Sequence, residues 1–143
     1  MKHGLLRIVR TTVPGLGLLL LACRVDAACG DTLSSHGRQF AEGGPLRVAF
    51  TPRVWPIPVG RHFVMDIELC SPPPGETSAP LRVDADMPAH KHGMNYRASV
   101  KPVAPGRYVA EGLMFHMPGR WRVVFDLRGD AAQGSATSII DVL

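Results

Sequence analysis

The chain has no glycine-rich phosphate loop, no G-x-S-x-G turn and no cysteine left free beside a histidine, so nothing marks it as a nucleotide hydrolase or a nucleophile-based enzyme. It has no amphipathic helical stretch, which argues against helix bundles and alternating βα architectures. It has no apolar run long enough to cross a bilayer, since the longest, "VPGLGLLLLA", stops well short. With 45% apolar and 20% charged residues over 143 positions, it holds enough for one core and no room for a second.

The apolar run does have a reading. "MKHGLLRIVR" places Lys2, Arg7 and Arg10 ahead of it, the pattern of an export signal, so residues 1–27 are assigned to a signal peptide and 28–143 to the mature domain. Two cleavage sites compete. The small residues of "VDA" suit ordinary cleavage after Ala27, whereas "LLAC" resembles a lipobox that would leave Cys23 lipidated. Pro14 and Gly15 break the apolar run early and Leu21 is an imperfect lipobox residue, which favours the ordinary site. The mature protein is then periplasmic or secreted. It meets the membrane only if Cys23 carries a lipid anchor.

Cleavage also removes the basic character. The isoelectric point near 9.3 suggests a nucleic-acid binder. Taking away Lys2, Arg7, Arg10, Arg24 and Asp26, however, leaves 12 basic and 11 acidic residues, a formal balance of +1. Scattered arginines at near-neutral charge form no stripe for a phosphate backbone, so nucleic acid is excluded as a partner.

Of three cysteines, Cys29 and Cys70 remain in the mature chain beside the signal-associated Cys23. In an oxidising compartment such a pair reads as a disulfide, with a pair of thiolate metal ligands as the alternative.

What the mature chain has in quantity is short alternating segments. "GPLRVAFTP", "HFVMDIELC", "APLRVDADMP", "GRYVAEGLMF", "RWRVVFDLR" and "ATSIIDVL" each alternate apolar and polar, separated by turn-rich stretches such as "SPPPGETSAP" and "VAPGRY". This predicts an all-β fold, an immunoglobulin-like antiparallel β-sandwich of about seven strands. Phe63, Met65, Ile67 and Leu69 are expected on one inward face, and Trp121, Val123, Phe125 and Leu127 on another. Trp55 and Trp121 are read as packing residues.

Two stretches stand out chemically: "MPAHKHGM", Met87 to Met94, and "LMFHMPGRW", Leu113 to Trp121. If "HKHGM" is extended, His90, His92 and Met94 fall on one side; the same rule pairs Met114 with His116 and sets Met117 opposite. Imidazoles suit several transition metals, but thioether sulfur favours copper, Cu(I) above all. Structural zinc sites generally draw on cysteine, and none stands near. Calcium wants oxygen ligands, and only Asp84 and Asp86 are close. The candidate ligands are therefore His90, His92 and Met94, with Met114 and His116 as a second set and Met87 or Met117 as a spare thioether. His36 and His62 stand alone and read as structural or surface residues.

The same residues carry a resemblance. "RVDADMPAHKHGMNYRASVKPVAPGRYVAEGLMFHMPGRWRVVFDLR", with the upstream "PIPVGRHFVMDIELC", resembles the YtkA-like domain, a small exported β-sandwich related in pattern to the FixH family. The likeness spans roughly residues 45–128, through an MP step into HxHGM, then PGRY, then MPGRW. It implies an immunoglobulin-like fold in the periplasm or at the cell surface and a link to copper handling. FixH proteins keep a transmembrane helix that this mature chain lacks, so membrane-bound oxidase assembly does not transfer. The expected function is a non-enzymatic, exported copper-binding domain that buffers the ion or exchanges it with a metal donor or acceptor protein of the envelope. The alternative is a non-metal protein-interaction module of the bacterial cell envelope.

Overall fold

The structure is a computed structural model and describes residues 28–72, 79–129 and 133–143. The expected signal segment 1–27 and the lipidation candidate Cys23 lie outside the described residues.

Nine strands form: β1 (Gln39–Gly43), β2 (Leu46–Pro52), β3 (His62–Leu69), β4 (Leu81–Met87), β5 (His92–Gly93), β6 (Ser99–Ala104), β7 (Arg107–Met114), β8 (Gly119–Arg128) and β9 (Gln133–Val142). They pair antiparallel in the order β5-β4-β8-β9-β1-β2-β3-β7-β6. No helix occurs among the described residues, and none there is long and apolar enough to cross a membrane. The sheet curls on itself. Phe50 of β2 and Phe125 of β8 stand three places apart in the strand order, yet their ring centroids are 5.0 Å apart. The Tyr108 hydroxyl of β7 likewise reaches the Ala79 carbonyl just before β4, at 2.8 Å.

Strand alternation drives the curl. Phe63, Met65, Ile67 and Leu69 of β3 are all buried, as are Trp121, Val123, Phe125 and Leu127 of β8, so both expected inward faces are the real ones. Each such side chain contributes about 1.5–3 kcal/mol relative to exposure. Trp121 is a core residue; Trp55 is half-buried and packs against the same cluster.

The all-β antiparallel expectation holds, but the strand number is nine rather than about seven. The extra strands lack the alternation that betrays a half-buried strand. In β1 only Ala41 is buried, because the strand is held by its hairpin with β2. Strand β6, "SVKPVA", has no buried residue at all. It lies at the sheet edge, the position where a proline such as Pro102 is tolerated. Strand β5 is only two residues long.

Cys29 and Cys70 form the expected disulfide, with Cα atoms 4.9 Å apart and a sequence separation of 41. The N-terminal segment is further fixed to β3 through Glu68. This carboxylate accepts the Gly30 N–H at 3.0 Å and the Thr32 hydroxyl.

Candidate metal centre

The first motif stretch forms the β4–β5 hairpin. Pro88 pre-sets the turn, the N–H groups of His90 and Lys91 both donate to the Met87 carbonyl, at 3.0 and 2.9 Å, and Lys91 adopts a left-handed φ of 56°. The chain then straightens, and His92 pairs with Met87. "HKHGM" is thus not one extended run as expected: His90 lies in the turn, and only His92 and Gly93 are strand. The imidazoles of His90 and His92 nevertheless end up beside each other, 5.8 Å between centroids.

The second stretch links β7 to β8. Strand β7 stops at Met114, and the chain turns through residues 115–118, anchored by the Gly60 N–H on the Phe115 carbonyl at 2.8 Å. Because β4 lies next to β8, the two motif stretches arrive at the same end of the sheet. They touch through Met87 and Gly119. A Cβ built on Gly119 would stand 2.8 Å from the Met87 ε-methyl, and Gly119 has a φ of +124°. Glycine therefore satisfies both the backbone and the close approach there.

Three imidazoles form a row at this end. His92 lies between His90 and His116, with the His92–His116 centroids 5.0 Å apart. With metal–nitrogen bonds of about 2 Å, two imidazoles sharing one ion have centroids roughly 5–6 Å apart. Both separations fit. Below the row lies Trp121, stacked on Phe115 at 4.8 Å, with its indole N–H donating to the Met117 carbonyl at 3.0 Å. His116 and His92 both meet the indole nearly edge-on, at 5.3 and 5.9 Å.

His116 Nδ1 is buried and has no hydrogen-bond partner. Leaving such an atom unpaired costs about 1–3 kcal/mol, so burial in the core does not by itself explain a histidine here. An ion would satisfy that nitrogen. His92 Nδ1 sits 3.4 Å from the Gly93 carbonyl, a long contact that leaves the ring's other nitrogen for a ligand. As the side chains stand, no three histidine, cysteine, aspartate or glutamate residues surround a common point among the described residues. The candidate set is mixed, imidazole with thioether.

The methionines divide. Met94 and Met117 are half-buried and pack against the core, and the Met94 N–H extends the hairpin to the Ala85 carbonyl at 2.9 Å. Met87 is 2% exposed, a core residue under the turn. Met114 does not share a strand face with His116, because β7 ends at Met114; its cross-strand partner is His62. His62 is not alone as the sequence suggested. It faces Met114 in register and meets the Tyr96 ring edge-on at 5.0 Å. This pairing depends on strand register, which no local spacing reveals. His36 is exposed, its N–H turned back onto the Ser34 hydroxyl at 3.2 Å.

Asp84 and Asp86 behave as an outer solvated face. Asp84 pairs with Arg82, and Asp86 holds Arg122 through two hydrogen bonds of 2.9 and 2.6 Å. Hydrogen bonding to Asp86, and then its charge, raise the Arg122 guanidinium above its ordinary pKa.

Residues 76–125 match the model of the YtkA-like family, so the resemblance read from the motifs is borne out over that segment. The match contains both motif stretches and all three histidines of the row. No curated protein and no solved structure matches the chain.

Proposed function

We propose that this YtkA-like chain is an exported copper-binding domain that buffers one copper ion or passes it to another envelope protein. His90, His92 and His116 supply imidazole nitrogen, and Met94 and Met117 supply the thioethers that favour Cu(I). The single observation that carries the reading is the buried, partnerless Nδ1 of His116 at the end of a row whose next rings are His92 and then His90. A half-buried site at the end of the sheet suits exchange: His92 stands on β5, the other ligands lie in the adjoining connections, and His90, exposed in its turn, is the first contact for a partner. The role is binding rather than catalysis, and the compartment is the periplasm or the cell exterior.

A second reading has its own support. Pro88, Ala89, Arg120 and Ile139 line a shallow depression of about 260 Å³ beside the His90 turn, and Ile139 is exposed. In a non-metal interaction module this end of the sheet would dock a protein partner directly. Metal analysis of the protein purified from its own compartment separates the two. The copper reading expects close to one copper ion per chain. Metal-free protein, or protein loaded with zinc alone, overturns it.

A further inference from the structure

His62 and Met114 take no part in the histidine row, yet they stand out from the sheet together. They pair in register on β3 and β7, and because their neighbours Phe63 and Leu113 are buried in the core, both side chains are directed outward. Tyr96 meets His62 edge-on at 5.0 Å and is itself 48% exposed. Arg61 and Arg97, the chain neighbours of these two rings, are exposed and enter no ion pair among the described residues; nor does Lys91, in the turn at the same end of the sheet. The nearby carboxylates are already engaged: Asp86 holds Arg122, Asp66 holds Arg53, and Asp141 lies 3.5 Å from Arg120. The opposite end mixes its signs, with Glu42 paired to Arg47 and Glu68 across from Arg107. Positive charge without a counter-charge is therefore gathered around an exposed aromatic ring at one end of the sheet.

We propose that His62, Tyr96 and Met114, flanked by Arg61 and Arg97, form a docking surface for an acidic face of another protein. Tyrosine and arginine are the side chains that anchor such contacts: the ring contributes area at little entropic cost, and a guanidinium grips a carboxylate through two N–H donors. The flexible thioether of Met114 adapts to the partner's shape. An anionic membrane fits less well. Arg61, Lys91 and Arg97 together contribute about 3 kcal/mol on such a surface, weaker than millimolar binding. The inference stands apart from the copper reading, because none of these residues belongs to the ligand set proposed above.

Replacing Tyr96 by the photo-crosslinker p-benzoylphenylalanine, in the full chain and in cells that make it, tests the surface directly. Val103, 58% exposed and near the other end of β6, is the control position. Illumination is expected to join the chain to one other protein from position 96 and to none from position 103, with the linked segment of that protein rich in aspartate and glutamate. Arg61→Glu with Arg97→Glu should lower the adduct yield, and the affinity of the purified pair, by about tenfold or more. Arg61→Lys with Arg97→Lys should keep most of both, and added salt should weaken the pair. Both arginines are exposed, so the charge-reversed protein should match the wild type by circular dichroism; if it does not fold, Arg97→Glu alone decides. No adduct from position 96, an equal adduct from position 103, an adduct indifferent to charge reversal, or a linked segment without acidic residues overturns the proposal. An adduct of twice the chain's mass would make this face a self-contact. Flotation with phosphatidylglycerol vesicles that is lost on charge reversal would make it a membrane face. Either result overturns the acidic partner.

Discussion

Replacing Gly119 by alanine tests whether the two motif stretches are clamped together as described. The substitution meets two obstacles that can be separated. A φ of +124° is strained for any residue with a Cβ, at about 1–3 kcal/mol. The new Cβ also falls 2.8 Å from the ε-methyl of Met87, the end of a flexible but buried side chain that must shift, adding overpacking of about 1 kcal/mol. Gly119→Ala should therefore destabilise by roughly 2–4 kcal/mol, read as a lower urea midpoint at unchanged slope. Met87→Ala alone leaves a cavity and costs about 2–5 kcal/mol. In the double variant the added methyl enters the vacated space. The combined loss should then fall short of the sum by about 1 kcal/mol. A Gly119→Ala variant within about 0.5 kcal/mol of wild type, or strict additivity with Met87→Ala, would refute the contact.

The remaining predictions concern the cysteines and the thioethers. With Cys29 and Cys70 joined across a separation of 41 residues, the oxidised mature protein should offer no thiol to a labelling reagent under denaturing conditions. A Cys29→Ser, Cys70→Ser variant should lose about 4 kcal/mol in denaturant unfolding; retention of full stability would contradict a closed loop. Met94→Ala should weaken Cu(I) binding more than Cu(II) binding, since thioether sulfur favours the softer ion, and equal losses in competition titrations would argue against thioether ligation. Changing Cys23 to Ser should leave export processing intact if cleavage follows Ala27, whereas a membrane-held precursor on a blot would point to lipidation.

The core was legible because β3 and β8 alternate without interruption, so their inward residues could be named from period two alone. The disulfide was legible because assigning Cys23 to the expected signal segment leaves Cys29 and Cys70 as a pair. Strand β6 was not, since an edge strand with a proline and no buried face has no apolar pattern to read. The candidate site was half legible. The two motif stretches were visible as composition, but their internal geometry was misjudged: the left-handed Lys91 bends what looked like an extended "HKHGM", and the end of β7 separates Met114 from His116. The contacts of His116 and His92 with Trp121, and the register of His62 against Met114, arise from the curl and pairing of distant strands.

The most direct measurement is copper uptake by metal-free protein, wild type against a His90→Ala, His92→Ala double variant, with folding of both verified by circular dichroism. Both histidines lie on the short β4–β5 hairpin, outside the buried core, so the variant is expected to fold. The wild type should bind close to one copper ion per chain, and the double variant should lose that binding in both oxidation states. A double variant that takes up copper as tightly as the wild type would contradict the site.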